Sequence, residues 1–173
     1  GTSLVFTVTD GIGSTSTKTF GTSLSTTDWS HIAAVYNSAT GNTTIYVNGQ
    51  TDFAGPGTAG INASNALPLR IGADQTAANA FTGNVDEVRI WNATRTANEI
   101  RENMHLTSIG TETNLVSYWQ FNNDANDYIN GNNGTLNDNA TVSTSSTVNV
   151  GRPGASQTIN VPTTPTGNQD FTT

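Results

Sequence analysis

The chain alternates between short apolar segments and turns rich in Gly, Asn and Asp. Segments of about four to eight strand-forming residues recur between clusters of turn residues, a spacing typical of all-β domains. Trp29–Tyr36 is mostly apolar on both faces, which predicts a central strand of a sandwich rather than an edge strand. Asn48 and Gly49 form the dipeptide most typical of a tight hairpin. The predicted strands are Leu4–Thr9, Ser14–Phe20, Trp29–Tyr36, Thr43–Val47, Leu67–Ile71, Val85–Trp91 and Leu115–Phe121.

One helix interrupts this pattern. Thr96 stands three residues before Glu99, and this spacing predicts a capping box in which each side chain bonds the other residue's amide. Ile100 and Met104, four residues apart, supply a narrow apolar stripe. We expect two to three turns that end near His105. The prediction is an all-β domain with one short helix.

Composition narrows the classes of function. Thr, Ser and Asn make up 67 of the 173 residues, only 11% are charged, and the net charge is −7. An acidic chain is poorly suited to nucleic acid or an anionic membrane, because phosphates attract basic surfaces. The absence of Cys excludes disulfides, thiolate metal sites and Cys nucleophiles. No segment has the roughly 20 apolar residues that membrane insertion requires.

Three stretches in a fixed order resemble one known family. The first joins Trp29–Tyr36 to Ile45–Gly49, the second is Leu69–Gly72, and the third is Gly83–Asn92 followed by the helix signal. Together they resemble the laminin-G-like, or concanavalin A-like lectin/glucanase, jelly roll. The resemblance covers roughly Leu4 to Met104 and implies an antiparallel jelly-roll β-sandwich.

The resemblance also bears on domain boundaries. We expect residues 1–139 to form the jelly roll, with the family's opening strands missing and residues 115–139 supplying a closing strand and loop. Residues 140–173 are then a linker or the start of a next module. Alternatively, Leu115–Leu136 opens a further repeat, which makes the chain a slice of a tandem array. In either case a neighbouring segment or partner chain is expected to complete the sandwich.

The resemblance further implies a calcium site. Calcium-binding relatives of this fold place acidic and amide ligands in the loop that here begins with Asp74 and Gln75, and hard cations prefer such oxygen ligands. Asp86, near that loop, is the third candidate ligand. A solvated loop is the alternative for Asp74 and Gln75. For Asp86 the alternative is a carboxylate bonded to turn amides or paired with Arg70 or Arg89.

A second acidic segment superficially suggests an EF-hand. Asp124-Ala125-Asn126-Asp127 starts like such a loop, but Tyr128 and Ile129 occupy the fifth and sixth positions. Those positions require an oxygen ligand and a Gly. We therefore reject the EF-hand and expect Asp127 to serve at most a local turn.

Catalytic patterns are weak. Glucanases of this fold place two carboxylates across the sugar bond, whereas Asp86 and Glu87 are adjacent and would point to opposite faces of a regular strand. Neither His31 nor His105 has a neighbouring Ser or Asp signature. We expect His31 to be a core residue whose ring is satisfied by the neighbouring sheet. No enzyme is predicted.

Three tryptophans could stack on sugar rings. The resemblance assigns Trp29 and Trp91 to core positions. Trp119 remains as the candidate ligand-binding residue, either as a sugar platform or as another buried side chain.

These observations together predict a secreted or cell-surface binding module of a bacterial multidomain protein, without catalytic activity. Its expected role is adhesion or the capture of glycans or extracellular proteins, with calcium as the candidate cofactor. Its other partners would be neighbouring domains of a longer chain. The alternatives are a structural spacer domain and, less favoured, a glycoside hydrolase. The binding role comes from the resemblance, and a fold by itself does not establish function.

Overall fold

The computed structural model describes residues 5–9, 15–19, 21–57, 68–73, 80–107 and 111–143. Within these residues the chain forms strands that pair antiparallel in three sheets, ordered β1-β2, β3-β4-β5 and β6-β7, and one helix, α1. This architecture confirms the predicted all-β class with one short helix. The elements are β1 Val5–Thr9, β2 Thr15–Thr19, β3 Ile32–Asn37, β4 Asn42–Val47, β5 Gln50–Pro56, β6 Val88–Trp91, α1 Ala97–Asn103 and β7 Leu115–Trp119.

The predicted hairpin joins β4 to β5. Asn48 and Gly49 both have positive φ angles, 49° and 73°, and Val47 pairs with Gln50 across the turn. Two left-handed residues give this turn the twist that antiparallel strands need. The prediction of a tight Asn-Gly turn is confirmed.

The core of this sheet lies on β4. Ile45 is fully buried and Val47 is 6% exposed. They are the buried centre of a cluster that reaches β1, β3 and β5. The side chains packed against them are Phe6, Leu24, Ile32 and Phe53.

The prediction that Trp29–Tyr36 is a central strand is wrong for the described sheet. The strand begins at Ile32, and β4 is the middle strand, flanked by β3 and β5. Apolar residues on both faces of a strand indicate that both faces are covered by other side chains. They do not indicate how many strands pair with its backbone. Trp29, expected in the core, is 41% exposed.

The helix follows its sequence signals. Thr96 is the N-cap, its hydroxyl accepts from the Glu99 amide at 3.3 Å, and Glu99 accepts from the Thr96 amide at 2.7 Å. Ile100 is buried, as its place on the apolar stripe predicts. The helix packs on the hairpin so closely that a Cβ at Gly49 would lie 2.6 Å from Cγ of Arg101.

β6 and β7 form a separate pair. Val88 pairs with Trp119 and Arg89 with Tyr118. β6 starts three residues later than predicted because Glu87, with φ 56°, has left the extended conformation. No helix in the described part of the chain is long and apolar enough to cross a membrane.

The prediction of a strand at Leu67–Ile71 is wrong for its described residues. Residues 68–71 form no strand, and Leu69 and Ile71 are 61% and 39% exposed. The alternation of apolar residues was present, but Pro68 has no amide to donate to a sheet.

Candidate functional site

A loop rich in Asn, Asp and Gly follows β7 and folds back on it. The amide of Tyr128 donates to the carbonyl of Tyr118 at 3.0 Å, and the amide of Gly134 donates to Ala125 at 2.7 Å. The side-chain amide of Asn130 donates to the carbonyl of Val116 at 2.7 Å. These bonds fix residues 122–134, which we call the β7 loop, against the last strand.

Asp127 organises this loop from its centre. The residue is 5% exposed, and its Oδ1 accepts the amides of Tyr118 and Ile129, both at 3.0 Å. Its Oδ2 accepts the backbone and side-chain amides of Asn132 at 3.1 and 3.0 Å. Burial alone would raise the pKa of Asp127, but the hydrogen bonds, led by that from the Tyr118 amide, outweigh it and lower the pKa to about 2. Asp127 was expected to stabilise only a local turn. Its hydrogen bonds instead hold the whole loop against β7.

Trp119 lies beneath the β7 loop. Its side chain is 4% exposed, and its indole N–H donates to the carbonyl of Asn132 at 3.1 Å. A ring that stacks on a sugar must present an open face, which Trp119 lacks. Trp119 is therefore the buried side chain that was the alternative to a sugar platform. Its position on a strand face was predictable; which face is covered was not.

The outer surface of the same loop carries an aromatic ring beside polar groups. Tyr128 is 53% exposed, and its hydroxyl donates to the two carboxylate oxygens of Asp124 at 3.3 and 3.1 Å. Asp124 also accepts from the backbone and side-chain amides of Asn126 at 3.0 and 2.8 Å. Burial and the bond to Asp124 raise the pKa of Tyr128. In the sequence Tyr128 served only to exclude an EF-hand, although an aromatic residue among Asn and Asp is a usable signal for a binding surface.

A polar network lies between β6 and β7. Arg89 pairs with Glu87 at 2.8 Å, and both side chains are 13% exposed. Glu87 also accepts the hydroxyl of Tyr118, and burial followed by this bond raises the pKa of Tyr118 well above its ordinary value. The guanidinium of Arg89 donates to the carbonyls of Asn103, at 3.2 Å, and Leu106. These contacts tie the sheet to the end of α1.

His31 is close to this network. Burial, then the positive charges of Arg89 and His105, lower the pKa of His31 from 6.5 to about 4. Its Nδ1 is buried and has no hydrogen-bond partner among the described residues. The expectation that the sheet satisfies the ring is therefore wrong for this nitrogen, and His31 is held in its neutral form.

Of the three candidate calcium ligands, Asp86 alone lies within the described residues. Asp74 and Gln75 lie outside the described residues. Asp86 is partly buried and accepts the amide of Glu87 at 3.0 Å, as its turn-amide alternative predicts. Arg89, the named ion-pair alternative, pairs with Glu87. No group of three or more acidic or His side chains suited to a metal occurs in the part of the chain that the structure describes.

Comparison with known proteins identifies the family. The model of the concanavalin A-like lectin/glucanases superfamily, of laminin-G type, matches residues 1–101. The match covers more than half of the sequence, and the chain belongs to this family. The resemblance drawn from the three ordered stretches is confirmed. A comparison with curated proteins gives no match.

Two solved structures are similar to the chain. One is a Bacteroides ovatus ATCC 8483 protein named for a proposed role in carbohydrate binding: identity is 28%, the TM-score is 0.54, and the match covers 61% of this chain and 31% of that one. The other is an S-layer domain-containing protein from Clostridium thermocellum ATCC 27405, with 22% identity and a TM-score of 0.41 over 58% of this chain and 50% of that one. The chain thus spans about a third of the first protein and half of the second.

Proposed function

We propose that this chain is a non-catalytic carbohydrate-binding module of a longer extracellular protein, where it serves adhesion or glycan capture. The observation that carries the proposal is the match to the Bacteroides ovatus protein, which is named for carbohydrate binding and shares 28% identity over 61% of this chain. The family, which includes lectins, points the same way. Because the chain spans 31% of that protein, we propose that further domains flank it.

Three carboxylates of the described residues are engaged in holding the fold, which favours binding over hydrolysis. A glycosidase needs two carboxyl groups that flank the scissile bond, one of them available as an acid. Glu87 is bonded to Arg89 and Tyr118, Asp127 is surrounded by amides, and Asp86 accepts the amide that follows it. Each of these groups stabilises the fold through its oxygen atoms.

Calcium dependence is a further part of the proposal. It rests on the loop that begins at Asp74 and Gln75, with Asp86 nearby in sequence. Hard oxygen ligands of this type suit calcium. We propose that calcium, held by these oxygen ligands, contributes to a surface for glycans.

A glycan array probed in calcium and again in EDTA tests the proposal. Binding that calcium supports and EDTA abolishes would support both the glycan role and the metal. Binding that EDTA leaves unchanged would retain the glycan role and refute the metal. A folded sample that binds no glycan in either buffer would refute the glycan role and favour the spacer or a protein partner.

A further inference from the structure

We infer that the outer surface of the β7 loop is a subsite for a neutral sugar ring, formed by Asp124, Asn126 and Tyr128. The inference rests on the proposed glycan-binding function and assigns it a place. The subsite lies outside residues 1–101, which the family model matches.

Tyr128 supplies the stacking surface. Its ring is 53% exposed, yet it is held at both ends: the backbone amide donates to Tyr118, and the hydroxyl donates to Asp124. A tyrosine has only two side-chain torsions and presents a large amphipathic face at low entropic cost. Because the ring is already ordered, a sugar that packs on it does not have to immobilise the tyrosine, and binding is spared that entropic cost.

Polar groups border the ring. The carboxylate of Asp124 accepts the backbone N–H of Asn126 at 3.0 Å and its side-chain amide at 2.8 Å. A carboxylate has about four lone-pair positions, and the two Asn126 groups and the Tyr128 hydroxyl already occupy most of those of Asp124. A primary amide has two donors and an acceptor, so the Asn126 side chain retains one N–H and its oxygen for the hydroxyls of a pyranose whose apolar face covers Tyr128.

Charge selects the class of sugar. Residues 111–143 contain no Lys or Arg and four acidic residues, which are Glu112, Asp124, Asp127 and Asp138. An anionic sugar needs a basic partner such as an Arg fork, and here it would meet only like charge. The subsite is therefore suited to a neutral pyranose and not to a uronic or sialic acid.

Buried residues hold the loop from below. Asp127 and Trp119 bond the backbone and side chain of Asn132 from the inner side of the loop. They act as positioning residues, and they contact no sugar in this arrangement. The indole N–H of Trp119 is consequently a local reporter of events on the outer surface.

The test measures binding of cellohexaose, xylohexaose, mannohexaose and anionic hexagalacturonate to the recombinant chain and its variants. Tyr128→Ala should weaken binding of the preferred neutral oligosaccharide at least tenfold, as loss of a central aromatic contact does. Tyr128→Phe, which keeps the ring, should weaken it about two- to threefold. Leu136→Ala removes another exposed apolar side chain of the same segment, 46% exposed, and should leave binding unchanged. The NMR signal of the Trp119 indole N–H should shift when the neutral sugar is added to the wild type.

The outcomes separate this inference from the proposed function. Tenfold loss in Tyr128→Ala alone, with an unchanged melting temperature and a shift at Trp119, supports the subsite. Wild-type binding that Tyr128→Ala leaves intact overturns the subsite and keeps the glycan function. Preference for hexagalacturonate also overturns the subsite. A folded wild type that binds none of these sugars, and no glycan on the array, overturns both.

Discussion

Removing the carboxylate of Asp127 tests how far one buried side chain holds the β7 loop. Asp127→Ala deletes the acceptor of four hydrogen bonds, from the amides of Tyr118 and Ile129 and two groups of Asn132. A hydrogen bond to a charged group contributes about 1.5–3 kcal/mol, and a buried donor left unpaired bears its full desolvation cost. The Tyr118 amide lies on the buried strand, whereas water can replace part of the bonds in the loop. We expect a loss of about 3–4 kcal/mol.

The fall in the free energy of unfolding at low pH gives a second measure of the same interaction. The pKa of Asp127 is lowered from 3.8 to about 2 in the folded state, so its stabilisation is present above pH 4 and disappears as the pH falls towards 2. A tenfold change in proton affinity corresponds to about 1.4 kcal/mol. Because the loop around the carboxylate is exposed and solvent screens it, we expect at most about 2 kcal/mol from this residue.

Urea unfolding followed by tryptophan fluorescence measures both effects, at pH 7 and across pH 2 to 5. The matched control is Asp138→Asn, an exposed acid in the same segment, for which we expect less than about 0.5 kcal/mol. A loss below about 1 kcal/mol for Asp127→Ala, or a fall at low pH that is identical in wild type and variant, would refute the assigned role.

Three further changes are expected to have measurable effects. Thr96→Ala removes the N-cap of α1 and should cost about 1 kcal/mol in thermal unfolding; no loss would mean that the cap is replaced. Arg89→Met leaves Glu87 without its ion-pair partner and should cost about 3 kcal/mol in urea, while a neutral result would show that Glu87 is not left as an uncompensated buried charge. The pKa of His31 is about 4 in the folded state and 6.5 ordinarily, so protonation of this residue favours the unfolded state. The free energy of unfolding should therefore be highest above pH 6.5 and fall by about 2 kcal/mol as the pH approaches 4. His31→Gln should abolish that slope, and an unchanged slope would locate the titration elsewhere.

Local signals in the sequence were the most informative. The capping box of Thr96 and Glu99 and the turn at Asn48 involve residues at most a few positions apart, and the structure confirms them. The laminin-G resemblance and the all-β class also followed from ordered local patterns. Such features form by short-range bonding, which a sequence displays directly.

Long-range placement was not predictable to the same extent. The alternation of residues in β7 predicted which side of the strand Trp119 occupies. It did not predict that the β7 loop covers that side, because the loop is held there by hydrogen bonds of Asp127 and Asn132 to residues of β7. Likewise the ion pair of Arg89 forms with Glu87, a residue whose positive φ interrupts the predicted strand and which the alternation pattern did not identify. Asp74 and Gln75 lie outside the described residues, and their calcium role stays a prediction.

The two kinds of strand pairing imply an order of folding. The β4-β5 turn joins Val47 to Gln50, whereas β6-β7 joins Val88 to Trp119, 31 positions further along the chain. Closing the longer loop has the greater entropic cost, so the hairpin is expected to form in the transition state and the β6-β7 pair later. In stopped-flow experiments Thr51→Gly, at an exposed position of β5 that pairs with Tyr46, should then mainly slow folding, and Arg89→Met should mainly accelerate unfolding. If Thr51→Gly changed only the unfolding rate, the hairpin would not be part of the folding nucleus.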